Sequence, residues 1–350
     1  MKLPERYALS GGGSSGGMGD IFFCDDLHLQ RRVVVKLLKD GEDERRLLDE
    51  QRALIQLRSK HVVQLFDVIK IDDRTNKKAL VLEYIDGENL QLNGYVPGEE
   101  FLNVLWQIAC GLKDIHAAHV IHRDIKPQNI RIDASRVVKI LDFGLARQAG
   151  NDANTRNIIG TIGYMAPELW HGSTISFDSA IDVYAYGVMA LTLLGQAPPD
   201  EILVRPPRPI PVDALVALRG SLPNAIVDTL ERCLSYVPAN RPRMEEVEEL
   251  LRRHLLKDKH RALAVMGGKT HELHAASRKM ALSFGNVGTL EIVYDGFQFL
   301  AQAQTGLVSI NNMPVAIGRP LPDCCVITFG VAGSSRAFVT FDVSNPEVAS

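Results

Sequence analysis

The sequence predicts an α+β protein in which a small β-rich lobe precedes a larger helical lobe, with a small all-β module after both. Three observations carry that reading. The first part of the chain holds compact β-branched runs around one charged helix; from about Phe101 the apolar spacing turns helical; beyond His260 short β-type runs alternate with Gly, Asn and Pro turns. The 350 residues have room for about two domains, and a hydrophobic content of 46% can furnish their cores.

Taken in order, Ser10–Phe22 (SGGGSSGGMGDIF) has two meanings. Gly- and Ser-rich stretches are commonly flexible linkers, but a loop whose backbone N–H groups cover phosphates also needs glycine, because a Cβ blocks close approach. Alone, the stretch favours the linker. Residues 31–37 (RRVVVKL) form a β-branched run that predicts a buried strand carrying one lysine, Lys36. A helix follows, with Glu42, Asp43 and Glu44 in its first turn, where acids suit the dipole. Leu47, Leu54 and Leu57 share one face by helical spacing, and Glu50 falls on it, so a carboxylate sits on the buried side. Val62–Val68 and Ala79–Tyr84 predict further strands. Residues 101–119 form a strong amphipathic helix, with later helices near 179–194, 224–235 and 243–256. Residues 257–285 are polar and irregular and predict a linker with one short helix. The β-type runs LEIVYD, FQFLAQA, GLVSI, CVITFG and AFVTFDV then make an all-β module over 286–350, with the two asparagines at 311–312 as a hairpin tip.

Composition excludes several roles. A net charge of −3 gives no global field toward nucleic acid or an acidic membrane. The five cysteines are odd in number and scattered, form no CxxC half-site, and include an adjacent pair with poor disulfide geometry. A reducing, cytoplasmic location fits. The start, MKLPERYALS, lacks an apolar signal core, and no apolar stretch reaches about 18 residues without charge, so no membrane segment is expected.

The decisive stretch is VIHRDIKPQNIRI, which sets His122, Arg123, Asp124, Lys126 and Asn129 in a short loop between apolar flanks. Thirteen residues after Asn129, the run VVKILDFG ends in Asp142, Phe143 and Gly144. Two loops thus present carboxylates. A nucleotide triphosphate must have its charge neutralised before phosphoryl transfer, and Mg²⁺ does so through hard oxygen ligands such as a carboxylate and an amide oxygen. Asp142 and Asn129 supply that pair. Asp124 is then free to orient the attacking hydroxyl and take its proton, while Lys126 stabilises the transferring phosphoryl.

At these residues the chain resembles the bacterial eukaryotic-type (Hanks-type) Ser/Thr protein kinases. The resemblance covers about residues 6–256 and implies the two-lobed protein kinase fold, with an N-lobe over 1–86 and a C-lobe over 87–256. His122-Arg123-Asp124 with Asn129 matches the catalytic loop and Asp142-Phe143-Gly144 the metal-binding motif. GTIGYMAPE (Gly160–Glu168) resembles the end of the activation segment, and Asp182 and Arg241 match two structural residues of the large lobe, Arg241 pairing with Glu168. The Gly-rich stretch then becomes a nucleotide loop, in which Ser15, Gly16, Gly17, Met18, Gly19 and Ile21 would contact ATP. Ser14 stands where the family has its first glycine, which implies weaker nucleotide affinity with activity retained. Lys36 would bridge the α- and β-phosphates and pair with Glu50, at a spacing shorter than many members show. Leu82 would gate the back of the adenine pocket, and the backbone of Glu83 and Ile85 would line the hinge.

The resemblance implies ATP and Mg²⁺, with Mn²⁺ as an alternative, and protein substrates phosphorylated on Ser or Thr. Lys126 two residues after Asp124, together with Thr161, is the Ser/Thr-type arrangement. Arg123 beside the catalytic Asp suggests control by a phosphorylated activation loop, with Thr155 as acceptor. An idle scaffold of the same fold is disfavoured because Lys36, Asp124 and Asp142 all stand; a small-molecule phosphotransferase is disfavoured by the APE stretch and Thr161. Residues 286–350 resemble part of a forkhead-associated domain, but its phosphothreonine-binding motifs do not appear and Arg319 in IGR lies too late to supply them. A unit that docks on the kinase or on a partner protein is the expectation.

Overall fold

Strand β3 (Arg31–Leu37) organises the first sheet: Val33, Val35 and Leu37 are buried, and Lys36 is 5% exposed. In the computed structural model, which describes residues 3–16, 19–37, 44–71, 77–148, 162–170, 178–196 and 198–348, β3 joins β1 (Tyr7–Gly16), β2 (Gly19–Asp26), β4 (Leu65–Lys70) and β5 (Lys78–Glu83) in an antiparallel sheet ordered β1-β2-β3-β5-β4. β1 and β2 form a hairpin closing at Gly16 and Gly19, with an irregularity between Leu9 and Gly13. At Gly13 a Cβ would stand 2.7 Å from the Ile21 carbonyl oxygen, so the hairpin needs glycine there. Helix α1 (Glu44–Gln56) packs on β4 and β5 and buries Leu47, Glu50 and Leu54 on its inner face.

β4 begins at Leu65, three residues later than the apolar run starts. The preceding backbone is used elsewhere: the Val63 N–H donates to the Ile140 carbonyl and Val62 makes an isolated parallel bridge to Ile140. β-Branched residues here serve a second sheet edge, which propensity alone does not distinguish from the first.

After β6 (Gly87–Asn89) the chain becomes mainly helical. Helix α2 (Glu99–Ala117) carries Glu99 and Glu100 in its first turn and a broad buried stripe from Phe101 to Ile115. Short strands β7 (Val120–Ile121), β8 (Ile130–Asp133), β9 (Val138–Ile140) and β10 (Arg147–Gln148) follow; β6-β8-β9 form one small sheet and β10-β7 another. These short sheets fix the two loops that hold the candidate chemistry. Helix α3 (Ala180–Leu193) is buried on nearly every side, as suits its apolar sequence. α4 (Asp200–Leu203), α5 (Asn224–Cys233) and α6 (Met244–Leu255) complete the helices.

The chain divides into two units, one extending to Leu251 and the other from Arg252 to Ala349. The second is all-β after the end of α6, with β11 (Arg261–Met266), β12 (Lys269–Leu273), β13 (Lys279–Phe284), β14 (Gly288–Tyr294), β15 (Phe299–Gly306), β16 (Val308–Ile310), β17 (Met313–Pro314), β18 (Cys324–Phe329) and β19 (Ala337–Ser344). They form a six-stranded sheet, β12-β11-β19-β18-β16-β17, and a three-stranded one, β13-β14-β15. Ala264, Ile327, Phe329, Val339 and Phe341 from the first and Leu282, Leu290, Ile292 and Phe299 from the second share one core. Asn311 and Asn312, with φ of 49° and 63°, form the tip between β16 and β17.

The expectation of a linker with a short helix over 257–285 is corrected: β11, β12 and β13 occupy it, and no helix lies within 261–285. The inward residues of β11 are Ala262 and Ala264, too small to mark a strand in the sequence, and the β11–β12 turn is Gly267-Gly268 with φ of 56° and 78°. Among the described residues no helix is long and apolar enough to cross a membrane.

Candidate active site

The β3 lysine and the α1 glutamate meet despite their short separation. Lys36 Nζ lies 2.8 Å from both carboxylate oxygens of Glu50 and 2.8 Å from Asp142 Oδ1. A buried ammonium requires such partners, and here it has two. Burial pushes the Asp142 carboxyl up, but Lys36 by charge and hydrogen bond outweighs it and holds Asp142 below the usual carboxylate range. Glu50, wholly enclosed, is pushed up by burial, against the pull of Lys36 and with a further push from Asp142.

The second loop is built around Asp182 in the first turn of α3. Its Oδ2 accepts the His122 N–H at 2.9 Å and its Oδ1 the Arg123 N–H at 2.8 Å, while His116 Nε2 stands 3.0 Å from Oδ2. This grip holds Arg123 at φ 70°, in the left-handed region that a side chain of its bulk rarely adopts; Asp142 is at φ 61°. Both loops therefore carry backbone strain at their chemical residue or next to it. His122 Nδ1 accepts the Asp124 N–H at 3.3 Å and its Nε2 donates to the Leu141 carbonyl at 2.9 Å, so the ring carries its proton on Nε2 and ties one loop to the other. The Leu141 N–H donates to the Asn129 carbonyl at 2.8 Å, a second tie.

Within the loop, Lys126 Nζ is 2.7 Å from Asp124 Oδ2. Asn129 Nδ2 donates to the Asp124 carbonyl at 2.8 Å and to Asp124 Oδ2 at 2.9 Å. Asn129 thus spends its amide nitrogen on Asp124, and its Oδ1 is the hard oxygen left for a cation. With the ionised Asp142 carboxylate, the donor set fits a hard divalent cation. Glu168 receives Arg241 in a bidentate pair at 2.6 and 2.8 Å, and Arg241 Nη1 also reaches the Ala180 carbonyl at 2.9 Å.

The structure thus brings Lys36, Glu50 and Asp142 together, and Asp124, Lys126 and Asn129 together. Ser15, Gly16, Gly19 and Ile21 lie in the β1–β2 hairpin, Glu83 ends β5 and Ile85 follows it. Gly17, Met18, Thr155 and Thr161 lie outside the described residues. Sequence reasoning did not single out His116, which no spacing rule marks, nor Lys139. The latter had a signal: a single lysine in an apolar β-run, the same one that marked Lys36.

A family model described as protein kinase domain matches residues 13–251. The chain is 37% identical over 192 residues to the serine/threonine-protein kinase drp72 of Corynebacterium efficiens, covering 51% of this chain and 36% of that protein. It is 31% identical over 211 residues to the serine/threonine-protein kinase PrkC of Bacillus subtilis, 57% of this chain and 32% of that one. Against the serine/threonine-protein kinase PknB of Mycobacterium leprae it is 30% identical over 210 residues, 56% and 33% respectively. The chain spans about a third of the length of these curated relatives.

Proposed function

Since the chain belongs to the protein kinase family, we propose that it is an ATP- and Mg²⁺-dependent serine/threonine protein kinase that transfers the γ-phosphoryl of ATP to protein hydroxyls and phosphorylates its own activation segment. The observation that carries this is the pairing of two ion clusters, Lys36–Glu50–Asp142 and Asp124–Lys126–Asn129, on loops tied by His122 and Leu141.

In this reading Lys36 releases Asp142 to the cation and takes the α- and β-phosphates, while Glu50 keeps the ammonium in place. Asn129 and Asp142 would hold Mg²⁺, with Mn²⁺ as an alternative; when bound, the metal neutralises phosphate charge. Asp124 orients the substrate hydroxyl and accepts its proton as that oxygen bonds to the γ-phosphorus and the bond to ADP breaks. Lys126 stabilises charge on the transferring group. The backbone of Ser15, Gly16, Gly17, Met18, Gly19 and Ile21 covers the phosphates, and the hinge backbone at Glu83 and Ile85 receives the base.

The remaining parts of the proposal stand on the sequence. Thr161 positions the acceptor hydroxyl. Thr155, once phosphorylated, engages Arg123 and raises activity. Residues 1–256 form the catalytic domain, and the C-terminal β unit docks on a protein surface, intramolecular or of a partner, and does not read phosphothreonine despite its partial likeness to a forkhead-associated domain. A cytoplasmic location accords with cysteines that are all free.

The test is incubation of the purified chain with labelled ATP and Mg²⁺, followed by mapping of phosphosites by mass spectrometry. Phosphate on serine or threonine, Thr155 included, supports the reading. Transfer no greater than that of Asp124→Ala overturns it.

A further inference from the structure

Lys139 sits in the middle of β9, within a run (VVKIL, 137–141) that is otherwise apolar and leads into Asp142, and its side chain is only 10% exposed. Its Nζ lies 2.8 Å from Oε1 and 3.0 Å from Oε2 of Glu83, the last residue of β5. Glu83 is held on two more sides: its Oε2 accepts the Gln64 N–H at 3.1 Å, and its own N–H donates to the Gln64 carbonyl at 2.9 Å. Gln64 Nε2 in turn donates to the carbonyls of Ser59 and Val62 at 2.9 and 3.1 Å. The same segment grips β9, through Val63 N–H to the Ile140 carbonyl at 3.0 Å, Ile140 N–H to the His61 carbonyl at 2.8 Å, and His61 Nδ1 at 3.1 Å from the Val138 carbonyl.

The end of β5, residues 59–64 and β9 therefore form a closed circuit of hydrogen bonds, and β9 runs on within two residues to Asp142. Stability does not call for charge in it, because well-packed apolar residues can replace a half-buried ion pair at no loss. A charged pair adds direction. With its N–H and its carboxylate both anchored, Glu83 has one orientation for its carbonyl and for the peptide that follows.

We propose that Lys139 is a positioning residue for the nucleotide: through Glu83 it orients the hinge backbone that receives the base, and it acts on nucleotide affinity rather than on phosphoryl transfer. This rests on the kinase reading above. Lys139 does not touch the nucleotide; breaking its pair frees Glu83 to turn, so part of the binding energy goes to re-ordering the hinge.

The experiment compares the full chain with Lys139→Met, Lys139→Arg, Glu83→Gln and the Lys139→Met/Glu83→Gln double variant. It measures the Kd for a fluorescent ATP analogue with Mg²⁺ and the KM and kcat for ATP. Lys139→Met should raise Kd and KM about fivefold, in the range of coupled neighbours, with kcat within about twofold. Lys139→Arg should recover most of the affinity, and the double variant should be no weaker than the worse single one. If Lys139→Met fails to fold, Glu83→Gln, which keeps shape and removes charge, should show the same Kd loss. A wild type that binds the analogue while Lys139→Met and Glu83→Gln bind it equally well overturns the inference alone, as does a fall in kcat at constant KM. A wild type that binds no analogue overturns the kinase reading and the inference with it.

Discussion

Lys36 Nζ stands 2.8 Å from Asp142 Oδ1, the same distance at which it holds Glu50. One ammonium thus joins β3, α1 and the loop after β9, and either carboxylate can be removed without leaving it unpaired. Asp142→Ala should keep the fold for that reason, yet lose the carboxylate that would hold the cation. Its Kd for ATP should become insensitive to Mg²⁺, and transfer should fall at least about a hundredfold. Calorimetric titration with and without metal checks it; a full Mg²⁺ dependence in the variant would remove Asp142 from the metal site.

Asp124 differs in kind, since its partners are Lys126 and Asn129 in its own loop. Asp124→Asn keeps an acceptor for Asn129 but cannot take a proton. Rates should drop about 10²- to 10⁴-fold, the range of a lost general base, with the nucleotide Kd within about twofold. Steady-state rates beside nucleotide titration decide this, and an activity near wild type would assign the proton to another group.

Both contrasts were legible in the sequence because they depend on residue type and short spacing. Lys36 stood out as one charge in RRVVVKL, and Glu50 as one acid on a leucine face; β3 spans Arg31–Leu37, as read. The same logic applied to VVKILD would have found Lys139, but its partner Glu83 is 56 positions away and no spacing rule joins them. His116 was invisible for a like reason, as its bond to Asp182 spans 66 positions. β11 escaped because alternation between alanines and exposed residues gives little contrast, and of its two sheet partners β12 is a polar strand and β19 lies at the far end of the module. Long-range pairing, rather than local propensity, holds what was missed.

Acidification should separate Glu50 from Asp142. Burial sets the Glu50 carboxyl above the ordinary value of about 4.3, whereas Lys36 prevails at Asp142 and sets it below about 3.9. As pH falls, Glu50 takes a proton first, and Lys36 loses one anchor while keeping the other. A raised carboxyl binds protons more tightly in the folded state, so protonation here favours the fold even as it releases the lysine. Nucleotide affinity should therefore decline in a window above about pH 4.3 before the protein unfolds. Glu50→Gln should abolish that limb, with an affinity flat across the window; a limb unchanged in Glu50→Gln would place the titration elsewhere.

Arg241 is buried to the tip and meets Glu168 in a fork, with further bonds to the Ala180 and Ser235 carbonyls. Glu168→Ala leaves that buried guanidinium without its counter-charge, since solvent reaches the pair only on the carboxylate side, where Glu168 is 23% exposed. The loss should be about 3 kcal/mol or more, typical of breaking a buried pair from one side. Chemical denaturation should show a lower midpoint with an unchanged slope, and a loss under about 0.5 kcal/mol would mean that water reaches the guanidinium.

The adjacent cysteines of β18 offer a test of the C-terminal unit by itself. Successive side chains of a strand point to opposite faces, so Cys324 is exposed and Cys325, 4% exposed, belongs to the shared core. Burial pushes the Cys325 thiol up to about 11, and the Cys110 and Cys233 thiols up to about 12; Cys24 is also raised by burial. Cys324 is raised too, first through its hydrogen bond to Asp342, yet it is open to solvent. Reactivity follows the thiolate and its access, so a thiol reagent at mildly alkaline pH should label one cysteine quickly in the native chain and all five in denaturant. Cys324→Ser should remove the fast phase. Asp342→Asn should accelerate it, because the neighbouring carboxylate no longer opposes ionisation. A fast phase that survives in Cys324→Ser, or an intact mass showing two thiols lost to a bridge between 324 and 325, would contradict the register of β18 against β19.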